Sequence, residues 1–154
     1  MAAPSYRLGL HVDGRYARGV RRRPLTNLAR KALASEGARA PLELSIAITN
    51  DETVRELNQR YRGEDRTTDV LSFSLEATKG FPEPVAGVPQ LGEVVISYPT
   101  ARRQAEEAGH PVEEELAHLL VHGILHLLGH DHESPREARE MRSREEALLG
   151  RVAH

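Results

Sequence analysis

The run Leu119-Leu120-Val121-His122-Gly123-Ile124-Leu125-His126-Leu127-Leu128-Gly129-His130-Asp131-His132 decides how this chain is read. Its apolar part, Leu119 to Leu128, is the longest in the sequence, and two histidines interrupt it. It is too short and too polar to span a bilayer. It reads as the end of a helix that Pro111 opens and Gly129 stops. His122 and His126, four apart, fall on one face about 6 Å from each other. Two imidazoles at that spacing reach one metal ion at about 2.0–2.1 Å. His118 lies on the same row but about 12 Å of helix rise from His126, too far for the three to converge easily. A third ligand is therefore expected from beyond the helix. Gly129 can turn the chain back through a left-handed conformation. His132 is preferred on spacing, with His130 and Asp131 as competitors.

Working outward, the flanks alternate between strand and helix patterns. Leu42, Leu44, Ile46 and Ile48 alternate strictly with Glu43, Ser45, Ala47 and Thr49, which predicts a half-buried strand. Tyr6–Val12, Val70–Leu75 and Val94–Tyr98 are further strands. Pro24 opens a helix whose apolar residues recur at helical spacing until Gly37. Asn50 caps a short helix with Asp51 and Glu52 in its first turn. Pro99 starts a helix that ends at Gly109. Ser134-Pro135-Arg136-Glu137 is a capping-box start for a last helix to about Leu149. Residues 77–90, with Gly80, Pro82, Pro84, Gly87 and Pro89, read as a loop. The expected fold is α+β. One domain spanning 1–154 carries a mixed sheet of three to four strands packed with four to five helices, and the metal site sits at the end of the His-bearing helix.

Composition narrows the function. The 154 residues are 39% hydrophobic and 29% charged, a balance that suits a soluble globular chain. There is no cysteine, which excludes disulfides, cysteine zinc fingers, iron–sulfur sites and thiol nucleophiles. Any metal site must use His, Asp or Glu. No signal-type run opens the chain, so a cytoplasmic protein without membrane attachment is expected. Residues 1–40 hold nine Lys/Arg against two Asp/Glu, whereas residues 41–154 hold twelve against twenty-one. That asymmetry permits a basic patch for a phosphate backbone, with Arg15, Arg18 and Arg21–Arg23 as its candidates.

The spacing His-x3-His-x2-Gly-x2-His matches the ligand pattern of metzincin proteases, and three ligands keep a fourth position open, as in catalytic sites. Those proteases place a glutamate directly after the first histidine as general base. Here that position is Gly123. The metal cradle is present without the peptidase base, which argues against peptide hydrolysis.

With these residues in view, the chain resembles the YbeY family of metal-dependent rRNA maturation endoribonucleases. His122–His132 is similar to its His-Gly-x-Leu-His-Leu-x-Gly-x-Asp-His motif. Leu57-Asn58 and Tyr61-Arg62, followed by Thr68-Asp69-Val70-Leu71-Ser72-Phe73, resemble a second family segment. Leu91-Gly92-Glu93-Val94-Val95-Ile96-Ser97 resembles a third. The likeness covers about residues 40–133. Ser74 stands where the family usually has proline, and His130 where tyrosine is common. The resemblance implies a zinc-dependent, single-strand-preferring endoribonuclease, with one Zn2+ per chain. It would act in maturation of the small-subunit (16S) rRNA 3′ end and in ribosome quality control, with rRNA and the small subunit as partners. It carries His122, His126 and His132 over as metal ligands and Arg62 as the family's arginine.

Phosphodiester cleavage fits such a site, because it needs charge stabilisation more than a covalent nucleophile. Arg62 is expected to grip a phosphate oxygen. His118 is expected as a proton-transfer or supporting residue. Asp69 and Ser72 are candidates to line the cleft, and Glu93 is a candidate to orient a ligand. Aromatic residues are only 4%, so RNA contact is expected to rest on arginine and phosphate. The competing class is a non-catalytic, zinc-containing ribosome-assembly factor.

Overall fold

A computed structural model of the chain describes residues 6–74, 88–130 and 133–150. Among them are four strands, β1 (Tyr6–Val12), β2 (Leu42–Thr49), β3 (Val70–Ser74) and β4 (Gln90–Ser97). Five α-helices accompany these: α1 (Arg22–Ser35), α2 (Asp51–Arg62), α3 (Tyr98–Ala108), α4 (Val112–Leu127) and α5 (Pro135–Leu149). The strands form one mixed sheet in the order β1-β2-β4-β3. β1, β2 and β4 are parallel, and β3 runs antiparallel to β4 as an edge. This is the expected α+β fold with a mixed sheet.

Strand alternation sorts the side chains onto two faces. Leu44, Ile46 and Ile48 of β2, with Val94 and Ile96 of β4, are buried in the main core. Ala29, Ala32 and Leu33 of α1 and Leu116, Leu119, Leu120 and Ile124 of α4 pack onto them. Each fully buried leucine or isoleucine contributes about 1.5–3 kcal/mol. The opposite face carries a much smaller cluster of Val54, Leu71 and Val95, edged by Ala47, Leu57 and Phe73, under α2. α4 is the hub, in contact with α1, α3, α5, β3 and β4.

Local chemistry sets most boundaries where expected. Asn50 accepts from the Thr53 amide at 2.7 Å and starts α2. Ser134 accepts from the Glu137 amide at 3.1 Å and starts α5. Gly63 and Gly109 end α2 and α3 in left-handed conformations. Three boundaries differ. α1 begins at Arg22, two residues before Pro24. β4 begins at Gln90, four residues before the predicted strand, because main-chain pairing with β2 extends it through Gly92. Gly92 has a φ of 152°, and an added Cβ would collide with the Phe73 carbonyl oxygen, so the glycine that looks like a strand breaker lets the strands close. Tyr98 opens α3 instead of closing β4, with Ser97 as the N-cap. Residue 75, predicted to end the second strand, and most of the predicted 77–90 loop lie outside the described residues. A short 3₁₀ turn at Gly14–Gly19 fills the stretch after β1.

Candidate metal and phosphate site

α4 has helical spacing, three glutamates in its first turn and buried apolar residues along the sheet side. Its half-buried row of histidines is thereby fixed in direction. The His122 and His126 rings stand 4.8 Å apart, edge to face. His118 stacks 6.3 Å from His122. Gly123, between the pair, is the point where α4 touches the sheet. A Cβ there would lie 2.6 Å from Val94 Cγ1 and 3.2 Å from Ser72 Oγ. Ser72 donates to the Gly123 carbonyl at 3.0 Å. The position a zinc peptidase gives to glutamate is therefore filled by the sheet. Ser72 locks the helix to β3 from beneath.

Two carboxylates, neither of them readable from the sequence, hold the histidine segment. Glu145 of α5 sits 2.9 Å from His122 Nδ1, and its side chain is 13% exposed. Burial pushes the Glu145 carboxyl up, but the contact with His122 and the nearby His118 and Arg142 outweigh this and hold it below the usual range. A carboxylate at one imidazole nitrogen fixes the ring and directs the other nitrogen away from it, the usual support of a metal-binding histidine. Glu36, at the end of α1, reaches His130 Nε2 at 2.7 Å, with Arg144 3.8 Å from its other oxygen. Gly129, at φ 100°, turns the chain as expected, and the His130 amide closes the turn on the Leu125 carbonyl at 3.0 Å. His130 thus faces α1 through Nε2. His132 and Asp131 lie outside the described residues. Among the described residues no three His, Asp or Glu side chains form a metal-holding group. Two imidazoles one turn apart, one of them oriented by a partly buried carboxylate, suit a zinc-type ion.

Arg62 does not join the histidine row. It ends α2, on the other face of the sheet, and is exposed. Tyr61 rests on Phe73, whose sheet partner is Glu93, while Leu127 of α4 comes up against Gly92. α2 and α4 therefore finish at the same end of the sheet and flank the edge strand β3 from opposite sides. Asn58, buried on α2, donates to the Arg66 carbonyl at 2.9 Å and shapes the chain between Arg62 and β3.

Other candidates turn out to be structural. Asp69 accepts from the Val70 amide at 2.8 Å and from Gln104 at 3.3 Å, so it caps the entry to β3. Glu93 points to the face opposite α4, beside His11, Ala47 and Leu57, where burial pushes its carboxyl up against the opposing pull of His11. It does not orient a histidine of α4. Of the N-terminal arginines, Arg15 is paired to Asp13 at 2.8 Å, Arg21 lies 3.8 Å from Glu113, and Arg22 donates to the Leu10 carbonyl. That basic run is partly tied up by the fold. No described helix is long and apolar enough to cross a membrane.

Comparison with known proteins places the chain in a family. The family model "Endoribonuclease YbeY" matches residues 16–153. An endoribonuclease YbeY of Moorella thermoacetica is 47% identical over 132 residues, 83% of this chain and 84% of the relative. The one from Roseiflexus castenholzii is 48% identical over 121 residues, 78% of this chain and 76% of that one. The solution structure of TM1509 from Thermotoga maritima superposes with a TM-score of 0.57 at 27% identity, covering 94% of this chain and 89% of that one.

Proposed function

This chain belongs to the YbeY endoribonuclease family, and from that premise we propose that it is a zinc-dependent endoribonuclease that prefers single-stranded RNA. Its substrate in this reading is the 3′ end of small-subunit rRNA, in the cytoplasm, with a further part in ribosome quality control. The observation that carries the metal reading is the Glu145 carboxylate on His122 in a row with His126. His122, His126 and His132 would hold the ion. When bound, it would supply positive charge to a phosphoryl oxygen and acidify water.

The chain's own residues do the rest. Arg62 grips the oxygens of a phosphate in the bound strand as a fork, and its exposed position at the end of α2 lets a strand reach it. His118, stacked on His122 and within the field of Glu145, holds the proton released by the nucleophile. Gly123 keeps α4 against the sheet and contributes no base. A 2′,3′-cyclic phosphate product identifies the RNA 2′-hydroxyl as nucleophile; a 5′-phosphate identifies water.

The test compares wild type with His126→Ala by elemental analysis and by cleavage of a single-stranded rRNA fragment. About one zinc per wild-type chain, with both zinc and cleavage lost in the folded variant, is the expected result. Zinc without cleavage in the wild type would replace this reading with the binding-factor one. A folded wild type without metal would sink the zinc site.

A further inference from the structure

We propose that Tyr61 is a stacking platform for an unpaired nucleobase of the RNA substrate. This rests on the reading of the chain as an RNA-cleaving enzyme and gives the single-strand preference a physical source. Tyr61 is 42% exposed and is the large hydrophobic side chain that stands out on the described surface. Its ring leans on Phe73, with centroids 5.1 Å apart and planes at 58°. Phe73 in turn packs on the buried cluster of Val54, Leu71 and Val95. The ring is thus held from below while much of its surface faces water. A ring fixed in this way loses little freedom when a base stacks on it.

The charges around it suit the same ligand. Arg60 and Arg62 flank Tyr61 in the last turn of α2. Among the described residues neither makes an ion pair, whereas neighbouring Arg55 is tied to Asp65 at 2.7 Å and Arg66 to Glu64 at 3.1 Å. An anchored aromatic ring with an arginine on either side of it in the chain, neither of them ion-paired among the described residues, matches a base with its adjoining phosphates. Bases inside a duplex are already stacked and are not presented to such a ring. A strand whose base lies on Tyr61 has a phosphate within reach of Arg62.

The experiment uses the full chain, with EDTA present so that no cleavage runs. A short labelled oligouridylate, which stacks little on itself, is titrated by fluorescence anisotropy against wild type, Tyr61→Leu and Tyr61→Phe. Leucine keeps apolar cover on Phe73 but offers no π face. Tyr61→Leu is expected to bind about 5- to 50-fold more weakly, and Tyr61→Phe within about twofold of wild type. Binding to a duplex RNA is expected to be unchanged by either. The chain has no tryptophan, so its intrinsic emission comes from tyrosine. The oligomer is expected to quench part of it in wild type and to lose that effect in Tyr61→Leu. Circular dichroism melting of each variant shows that the fold is kept. Tyr61→Leu binding as tightly as wild type, or Tyr61→Phe losing as much as leucine, overturns the platform while the RNA reading stands. A wild type that binds no single strand overturns both.

Discussion

The two faces of the central sheet are built from the same alternating strands yet do opposite work. On the α4 face, β2 and β4 present Leu44, Ile46, Ile48, Val94 and Ile96 to two long helices, and burial there is nearly complete. On the α2 face, three residues make the buried cluster, and the partly buried Ala47, Leu57 and Phe73 edge it. The rigid face carries the histidines, which need fixed directions. The thin face carries Tyr61 and Arg62, which need access. The difference lies in what each helix has to bury. α4 is apolar on most sides, whereas α2 spends half of its residues on charge.

Equal truncations on the two faces put the contrast to a test. Leu120→Ala, at the main core, is expected to cost about 4 kcal/mol, and Leu71→Ala, beneath α2, about 2 kcal/mol, because the thin face collapses more readily around the gap. Urea unfolding of both variants measures this. Equal costs would mean that the α2 face is as tightly supported as the other. Next in size is the support of the metal site. Glu145→Gln keeps the shape and removes the charge, and is expected to weaken zinc binding by about 10- to 100-fold in competition with a chelating dye. Unchanged affinity would leave Glu145 as a mere tie between α4 and α5.

The smallest effect concerns the polar anchor of α2. Asp51 accepts from Ser97, from Thr100 at 2.6 Å and from Arg103 at 3.0 Å. Burial pushes its carboxyl up, but these donors outweigh that and hold it below the usual range. The donors favour the ionised form, so their contribution is full above the ordinary carboxylate value near pH 4. It fades as the pH falls through the lower value of the folded state. Asp51→Asn is expected to cost about 1 kcal/mol at neutral pH and to flatten the acid side of the stability profile. An unchanged acid limb would assign that limb to other carboxylates.

Much of the fold was legible because its signals are local. The alternation in Leu42–Thr49 matches β2 residue for residue, and Asn50, Gly109 and Ser134 mark boundaries through bonds to atoms a few positions away. The apolar run marks β4 only from Val94, and pairing with β2 carries the strand back to Gln90. The histidine row was legible for the same local reason, since i,i+4 spacing sets one helix face. Its supports were not. Glu145 is 23 residues from His122 and Glu36 is 94 from His130, so no spacing rule links them.

The sequence by itself determined the elements, the His122–His126 pair, the turn at Gly129 and the absence of a peptidase base at Gly123. These follow from backbone periodicity and residue chemistry within a few positions. Only the tertiary structure decided which side chains meet. It put Glu145 on His122, turned Glu93 away from the histidines and tied down Asp69. It also set Arg62 and Tyr61 on the far face of β3, at the same end as the histidine row. Those outcomes depend on how helices and strands pack across long separations in the chain, and local pattern carries no record of that.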